Sequence, residues 1–239
     1  MKAAADDLQR RYYAETATDY ERLHVVKNDE HYFALAWMLA CIDHLDCQSV
    51  LDVGSGTGRA VSYLRQRRPA VRVVGIEPSA ELRAVGHRQG VPVDQLVDGD
   101  AMRLGFDARA FDLVCEFGVL HHLAHPSAAV AEMSRVARLA VFISDDNHFG
   151  SGSATARRIK RILGSLGLWR TAYLLRTGGK GYRVTAGDGL AYPYSVFDDL
   201  PMLESTCSVV HCLNTRGRGP DLRTGSSHVA LLGVKRNAG

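Results

Sequence analysis

Short apolar runs alternate with amphipathic helical patterns between residues 49 and 144. The runs are SVLDVG (49–54), VRVVGIE (71–77), DQLVDGD (94–100), FDLVCEF (111–117) and LAVFIS (139–144). The intervening segments, which include GRAVSYLRQRR, SAELRAVGHRQG and HPSAAVAEMSRVAR, space their apolar residues as in a helix that packs by one face. Because strands that alternate with helices form parallel sheets, this order predicts a doubly wound α/β fold with a mostly parallel sheet.

Helical patterns also precede these strands, at about 5–22 and 29–45. Near the other end of the chain, YSVFDDLPMLES has a helical pattern, and CSVVHCLNT and HVALLGVKR each have the pattern of a strand. A helix followed by two strands predicts an antiparallel hairpin at the edge of the sheet. Together with the five earlier strands, this gives a seven-stranded sheet whose last strand is antiparallel.

The alternation of strands and helices stops after Ser144, and a long connection follows. Because an unstructured loop of that length is unusual in a compact domain, we expect a helical insertion after the fifth strand that acts as a lid or substrate subdomain. The predicted organisation is an N-terminal helical cap (1–46), a Rossmann-like core (47–146), the insertion (147–194) and a C-terminal completion of the sheet (195–239).

Composition and charge exclude several classes of protein. The formal net charge of +3 over 239 residues is far below that of a dedicated nucleic-acid-binding domain, so nucleic acid is disfavoured as a partner. No apolar stretch approaches the roughly 20 residues of a membrane span, and the N-terminus lacks the apolar region of a signal peptide. The five cysteines show no C-x-x-C spacing, so we expect them to be reduced and buried. These features predict a cytoplasmic protein without a membrane partner.

The first strand ends in a glycine-rich turn, VLDVGSGTGRA (50–60). A strand, glycine turn and helix in this order can bind phosphates, dinucleotides or adenosyl-sulfonium ligands. The dinucleotide pattern G-x-G-x-x-G fails, because Arg59 or Val61 stands where the third glycine belongs. The phosphate loop G-x-x-x-x-G-K-[ST] also fails, because no lysine lies between Lys27 and Lys160.

The turn does match the pattern D-x-G-x-G-x-G, which is formed by Asp52, Gly54, Gly56 and Gly58, with Ser55 inside the turn. Over roughly residues 48–145 the sequence resembles the class I S-adenosylmethionine-dependent methyltransferases. The resemblance implies S-adenosyl-L-methionine as the cofactor and S-adenosyl-L-homocysteine as the product. It also implies that the glycine turn lies against the methionine part of the cofactor, which carries no phosphate and needs no lysine.

The ends of the second and third strands extend this resemblance. Glu77, followed by Pro78, stands where a carboxylate accepts hydrogen bonds from both ribose hydroxyls in the family, although a glutamate at a strand end can also be merely solvated. Asp100 and Ala101, in DGDAM, occupy the family's position at the adenine edge, although aspartate is also frequent in turns. These residues follow the carboxyl ends of predicted strands, where open α/β sheets bind their ligands.

The fourth strand leads into a pair of histidines, in FDLVCEFGVLHHL. The resemblance implies that Glu116 and Phe117 lie beside the methionine arm, with His121 and His122 close to the methyl group. Methyl transfer needs mainly positioning, but an oxygen acceptor must lose a proton, and histidine titrates near neutral pH. Either histidine is therefore a candidate base, or the pair only caps the next helix. The remaining histidines are scattered, and no metal site is predicted.

Three tyrosines near the N-terminus are candidates for the substrate side. Tyr12, Tyr13 and Tyr20 lie in RRYYAETATDYERL, which resembles the segment with which the family covers its cofactor. They either face the sulfonium and the acceptor or form a half-buried packing stripe.

The insertion carries an excess of cations, and Arg157, Arg158, Lys160 and Arg161 lie in one helical pattern. Its apolar positions predict that Ile159, Ile162, Leu163 and Leu166 pack on the domain while these cations stay outside. The segment is then either a solvated basic surface or a lid. In the lid, Tyr192 and Tyr194 line the acceptor pocket, and arginines such as Arg157 bind a carboxylate or phosphate of the substrate.

The sequence thus predicts an S-adenosylmethionine-dependent methyltransferase that acts on a small molecule, with an anionic acceptor as one option. Oxygen is favoured over nitrogen as the acceptor atom, because EFGVLHH stands where amide methyltransferases carry N-P-P-Y. An RNA or protein methyltransferase is an alternative, supported by the basic insertion. A non-catalytic partner subunit of the same fold is another, although the intact glycine turn argues against it. The acceptor and the oligomeric state are not predicted.

Overall fold

The computed structural model of the protein describes Gln9, Tyr12, Tyr13, Thr16 and residues 29–185, 189–217 and 219–236. The strands are β1 (Ser49–Val53), β2 (Arg72–Ile76), β3 (Leu96–Val97), β4 (Phe111–Phe117), β5 (Ala137–Asp146), β6 (Arg183–Thr185), β7 (Gly189–Ala191), β8 (Cys207–Gly217) and β9 (Ser226–Lys235). The helices are α1 (Glu30–His44), α2 (Arg59–Arg67), α3 (Ala80–Arg88), α4 (Pro126–Val136), α5 (Ala154–Ser165), α6 (Trp169–Arg176), α7 (Leu200–Thr206) and the short α8 (Leu222–Gly225).

The main sheet has seven strands in the order β3-β2-β1-β4-β5-β9-β8. Strands β1 to β5 are parallel, whereas β9 is antiparallel to both of its neighbours, β5 and β8. Six strands therefore run in one direction, and the predicted doubly wound sheet with an antiparallel last strand is confirmed. The strand order reverses between β1 and β4, which creates a crevice at their carboxyl ends.

Apolar cores lie on the two faces of this sheet. Met38 of α1 and Leu64 of α2 pack in one core together with Phe142 of β5. Met133 of α4 packs in the other core, against side chains that include Ile143 of β5. Adjacent residues of one strand enter different cores because successive side chains point to opposite faces. The helices therefore cover both faces and leave the carboxyl ends of the strands accessible.

The insertion after β5 contains a 3-10 turn (His148–Gly150), α5, α6 and the small hairpin of β6 and β7. Its orientation corrects the prediction made from its periodicity. Ile159 and Ile162 are 52% and 51% exposed, whereas Lys160 is only 8% exposed. The Nζ atom of Lys160 donates to the backbone carbonyls of His148 and Ser151, which turns this side of α5 toward the protein. Ile159, Ile162 and Leu166 are therefore exposed rather than packed, whereas Leu163 is half-buried. Among the cations, Arg158 and Arg161 are exposed as predicted and Lys160 is not.

The cysteines carry no disulfide, as expected for reduced thiols. Cys47, Cys115 and Cys207 are buried, but Cys41 is only half-buried and Cys212 is exposed. The expectation that all five are buried is therefore wrong for two of them. Within the described ranges, none of the helices is long and apolar enough to cross a membrane.

Candidate functional site

A cavity of about 200 Å³ lies at the carboxyl ends of β1, β2 and β4. Several of the residues predicted from the sequence line it, namely Tyr13, Gly54, Glu77, Pro78, Asp100, Ala101, Phe117 and His122. The structure thus brings together at least one residue from each segment that carried the resemblance. Sequence reasoning missed other lining residues, which are Gln9, Ser79, Leu82, Gly99, Met102, Gly118, Val119 and Leu123.

The glycine turn owes its composition to its backbone conformation. Gly54, Gly56 and Gly58 have φ angles of +70°, +57° and +84°, in the left-handed region that other residues rarely adopt. A Cβ atom on Gly54 would lie 2.9 Å from Cγ1 of Val119 and nearer still to Cγ2. The turn therefore needs glycine both for its conformation and for its close approach to the loop after β4.

Asp52 and Ser55 hold this turn rather than line the cavity. The carboxylate of Asp52 is buried and accepts a hydrogen bond from the Ser55 hydroxyl. Burial raises the pKa of Asp52 to about 6, against the opposing effects of the Ser55 hydrogen bond and the Arg59 charge. The contribution of the first aspartate of the motif is thus the shape of the turn.

Glu77 places a nearly buried carboxylate at the cavity wall, only 5% exposed. Its Oε2 atom accepts the Gly56 N–H at 3.0 Å, and its Oε1 atom accepts the Ser79 N–H at 2.8 Å. Burial raises the pKa of Glu77 to about 7, although both hydrogen bonds oppose this shift. Each carboxylate oxygen can accept a second hydrogen bond, so the group fits a pair of neighbouring hydroxyls.

Asp100 and Ala101 line the cavity after β3. The Oδ1 atom of Asp100 accepts the Met102 N–H at 2.8 Å, which fixes the turn while the side chain remains exposed. The carboxylate of Asp100 is thus the second one at the cavity after that of Glu77, and it lies where the resemblance implies the adenine.

Glu116 lies beneath the cavity rather than on its wall. It is fully buried, and its two oxygens accept the N–H groups of Val119 and Ser144, each at 2.9 Å. Burial, followed by the nearby charge of Asp145, raises the pKa of Glu116 well above its usual value. Glu116 therefore fastens the loop after β4 to β5, and the neighbouring Phe117 is the residue that lines the cavity.

His121 pairs with Asp145, a residue that sequence reasoning missed. The Nδ1 atom of His121 lies 2.6 Å from Oδ1 of Asp145, and Oδ2 accepts the Leu120 N–H at 2.7 Å. Burial opposes ionisation of Asp145, but the His121 imidazole and their hydrogen bond bring its pKa well below the usual range. A Cβ atom on Gly118, which lines the cavity, would lie 3.7 Å from Cε1 of His121. The imidazole thus approaches the cavity from behind this glycine.

His122 joins three parts of the chain at the cavity. Its Nδ1 atom lies 2.5 Å from the Leu190 carbonyl in β7 and 3.3 Å from Nε2 of Gln9. Gln9 in turn accepts the Leu190 N–H at 2.6 Å through its Oε1 atom. The insertion therefore reaches the cavity through β7. The two histidines also differ in their contacts, because His121 is paired with a carboxylate and His122 with a backbone carbonyl.

The N-terminal tyrosines take different positions. Tyr13 lines the cavity, and its ring centroid lies 5.9 Å from that of His122. Tyr12 packs on Gly189, where a Cβ atom would be 2.8 Å from its Cδ1 atom. Tyr20 lies outside the described residues. Of the two N-terminal tyrosines that the structure describes, Tyr13 is therefore the one placed to contact a bound molecule.

The residues of the insertion that are candidates for substrate binding lie outside the cavity lining. The Tyr192 N–H donates to the His121 carbonyl at 2.8 Å, which fixes the backbone of Tyr192 beside the histidines. Tyr194 is buried in the core, and its hydroxyl donates to Asp199 at 2.9 Å. Arg157 donates to the Gly152 carbonyl at 2.7 Å. The structure does not place Tyr194 or Arg157 among the residues that line the cavity, because these contacts hold them elsewhere.

The donor set of the cavity fits an adenosyl ligand better than a metal. Among the residues described here, no group of three or more His, Cys, Asp or Glu side chains could hold a metal ion. The glycine turn allows close backbone approach, and Glu77 offers a carboxylate of fixed orientation. These are the features by which S-adenosyl-L-methionine would be held through its methionine part and its ribose.

Comparisons with known proteins agree with this fit. A family model described as a methyltransferase domain matches residues 51–141. The demethylmenaquinone methyltransferase of Roseiflexus castenholzii is 34% identical over 98 residues, which are 39% of this chain and 40% of that protein. The trans-aconitate 2-methyltransferase of Azoarcus sp. is 31% identical over 107 residues, 45% of this chain and 42% of that protein.

A solved structure resembles nearly the whole fold. Magnesium protoporphyrin IX methyltransferase from Synechocystis, with bound S-adenosylhomocysteine, has a TM-score of 0.60 at 18% identity and covers 97% of this chain and 100% of its own. The chain spans less than half the length of the two curated relatives named above. Residues 51–141 of the chain thus match a methyltransferase domain, and the fold of the chain is similar to that of a methyltransferase with bound S-adenosylhomocysteine.

Proposed function

We propose that this chain transfers a methyl group from S-adenosyl-L-methionine to an oxygen atom of a small molecule. The observation that carries the choice of oxygen is the hydrogen-bonded pair of His121 and Asp145 behind the cavity wall. An oxygen acceptor must lose a proton during the reaction, and an imidazole next to an ionised carboxylate can take it. A site that acts only by positioning the cofactor and the acceptor would not need a base of this kind.

The cofactor is held by the residues at the strand ends. Glu77 accepts hydrogen bonds from the ribose hydroxyls, and Asp100 accepts one from the adenine amine, next to the backbone N–H of Ala101. Hydrogen bonds to a charged group are worth about 1.5–3 kcal/mol each. The backbone at Gly54 lies against the methionine part. When bound, the cofactor supplies a methyl group on a positively charged sulfur.

His121 and Asp145 handle the proton in this proposal. The Asp145 carboxylate holds the proton of His121 on Nδ1, which makes Nε2 the proton acceptor. The cofactor would supply its methyl group to the acceptor oxygen and would leave as the neutral sulfide, which keeps the electron pair of the broken bond. The hydroxyl proton moves to Nε2, and Asp145 stabilises the imidazolium that results.

The N-terminal cap and the insertion close the acceptor side of the cavity. Gln9, Leu190 and His122 form one hydrogen-bonded group there, and Tyr13 lies beside it. This group supports the role of segment 147–194 as a lid, with β7 as the part that reaches the site. The names of the two curated relatives refer to demethylmenaquinone and trans-aconitate, which supports a small-molecule acceptor here.

The proposal is tested with pairs of acceptors that share a skeleton and differ in the nucleophilic atom, such as phenols against anilines and alcohols against amines. Formation of S-adenosylhomocysteine and labelling of the acceptor from methyl-labelled cofactor are measured. We expect transfer to the oxygen member of a pair, with loss of transfer in His121→Gln while the cofactor affinity is kept. Transfer confined to amines, or an unaffected His121→Gln variant, would refute oxygen transfer.

A further inference from the structure

Large apolar side chains are concentrated on the outside of the insertion. Ten such side chains are exposed in the described part of the chain, and all but Phe33, Val93 and Val209 lie between residues 159 and 184. Those of the insertion are Ile159, Ile162, Leu166, Leu168, Leu174, Leu175 and Val184. Isolated apolar residues are normal on a surface, but such a concentration in one segment marks an interaction site. We call the exposed side chains of α5, of α6, of the turn between them and of Lys180 the insertion surface.

The orientation of α5 is fixed from its other side. Lys160 is buried and donates to the Ser151 carbonyl at 2.8 Å and to the Ser151 hydroxyl at 3.2 Å. Ile159, Ile162 and Leu166 follow the i, i+3, i+7 spacing of one helix side and are 52%, 51% and 64% exposed. Their exposure therefore follows from how the helix is anchored.

The second helix is anchored in the same way. Tyr173 is buried, and the rings of Trp169 and Tyr173 lie 4.7 Å and 5.9 Å from that of His148. With these aromatic rings facing inward, Leu174 and Leu175 are left 47% and 77% exposed. The two helices pack on each other, so their apolar side chains belong to one substructure.

The charge of this segment has one sign. Between residues 147 and 185 the sequence contains no aspartate or glutamate. Asp198 and Asp221, on other elements, act electrostatically on Arg170 and Arg161. Arg158, Arg176 and Lys180 are exposed, and they are the cations that we assign to binding.

We propose that the insertion surface docks on an anionic lipid bilayer. Its aliphatic side chains would enter the boundary between headgroups and acyl chains, and its cations would contact anionic headgroups, as in amphipathic helices that lie in a membrane interface. The proposal departs from the expectation of no membrane partner, which was based on the absence of a spanning segment. It concerns binding at the membrane surface and does not depend on methyl transfer.

Other partners fit these observations less well. Single-stranded nucleic acid is bound by exposed aromatic rings, whereas the rings of Trp169 and Tyr173 pack against that of His148. A protein partner would need carboxylates opposite the cations, and residues 147–185 offer none to a second copy of the chain. A bilayer supplies both an apolar interior and a dense negative charge.

Docking would also orient the site. The insertion ends at β7, where the Leu190 carbonyl contacts His122 at the cavity. The segment that binds the bilayer is thus continuous with the acceptor side of the cavity, which would let an acceptor dissolved in lipid enter directly.

The test is flotation of the full chain with vesicles of phosphatidylcholine alone or of equal parts phosphatidylcholine and phosphatidylglycerol. We expect binding to the anionic vesicles that is at least about tenfold stronger than to the neutral ones and that weakens at high salt. Leu175→Glu combined with Ile162→Glu should abolish it, and Arg158→Gln combined with Arg176→Gln should weaken it by about thirtyfold. Val93→Glu is the matched control, because Val93 is 73% exposed outside the insertion.

Affinity for S-adenosylhomocysteine confirms that each variant is folded, since none of these residues lines the cavity. Absence of flotation with anionic vesicles overturns the proposal, as does an equal loss of binding in Val93→Glu. Unchanged binding in the Leu175 and Ile162 variant also overturns it, because adsorption would then be purely electrostatic. A dimer, or a complex with a single-stranded oligonucleotide, that the same variant abolishes while vesicles do not bind would assign the surface to that partner instead.

Discussion

The imidazole of His121, which follows β4, is hydrogen bonded to the carboxylate of Asp145 near the end of β5, with 2.6 Å between Nδ1 and Oδ1. Both residues are buried, and Asp145 has no exposed surface. The neighbouring parallel strands deliver the two side chains to the same edge of the sheet. The carboxylate also accepts a backbone N–H from the loop that carries His121, so the orientation of the imidazole is fixed before any substrate binds.

This pair predicts which histidine acts as the base. His121→Gln should lower kcat by about 10²–10⁴ and remove the decrease of kcat on the acidic limb that protonation of the base causes. Asp145→Asn should also lower kcat, because an amide no longer holds the proton on Nδ1. The rate is measured against pH at saturating cofactor.

His122→Gln provides the comparison, because His122 holds β7 rather than a carboxylate. It should raise the KM of the acceptor and leave the pH profile of kcat in place. If neither histidine variant lowers kcat by more than a few-fold, the pair is structural and positioning alone accounts for the rate.

Glu77 predicts a pH dependence of cofactor affinity. Its pKa in the free protein is raised to about 7 by burial, and the ribose hydroxyls need the ionised form. Protonation therefore competes with binding, and affinity for S-adenosylhomocysteine should fall by up to about tenfold for each pH unit below about 7. Calorimetric titration over this range measures the slope. Glu77→Gln should bind weakly at every pH and show no such slope, and an equal slope in that variant would assign the titration to another group such as Asp52.

The glycine turn predicts a pair of substitutions that compensate each other. Gly54→Ala places a Cβ atom against Val119 and keeps the left-handed φ of +70°. The conformation alone costs about 1–3 kcal/mol, and the steric clash adds to it. Val119→Ala in the same chain should recover part of the lost stability, because it removes the contacting methyl groups. Thermal unfolding and cofactor affinity are measured for the single and double variants. If the stability losses of the two single variants simply add in the double variant, the contact between the two positions is contradicted.

Lys160 predicts a loss of stability without a loss of cofactor affinity. Lys160→Met leaves the carbonyls of His148 and Ser151 without their donor, which should lower the free energy of unfolding by about 1–3 kcal/mol. The exposed Arg161→Met is the matched control and should change it by less than about 0.5 kcal/mol. Equal effects on denaturant unfolding would show that the buried ammonium does not anchor α5.

The parts of the site that the sequence predicts are local in the chain. Gly54, Glu77 and Asp100 each sit within a few residues of a strand end, so a short motif with its strand specifies their place. The pairing of His121 with Asp145 joins two strands and becomes visible only once β4 and β5 are neighbours. A carboxylate at the end of the fifth strand was the available signal, because the carboxyl ends of parallel strands meet at one edge.

The periodicity of the sequence did not predict which side of α5 faces the protein. The spacing of Ile159, Ile162 and Leu166 correctly indicates an amphipathic helix, but it does not state which side faces the protein. Two backbone carbonyls next to α5 need a donor, and Lys160 supplies it, so its ammonium group points toward the protein while Arg158 and Arg161 stay exposed. The segment of Glu116 reaches the cavity through Phe117, but the carboxylate of Glu116 accepts the N–H groups of Val119 and Ser144 and lies beneath the cavity.

Calorimetric titration of the full chain with S-adenosyl-L-homocysteine, alongside its Glu77→Ala variant, tests the central claim most directly. The account predicts a single site in the native chain and an affinity lower by at least about tenfold in the variant, which corresponds to one lost charge-assisted hydrogen bond. An unchanged affinity in Glu77→Ala would contradict the assignment of this carboxylate to the ribose. No binding by the native chain would contradict the methyltransferase function itself.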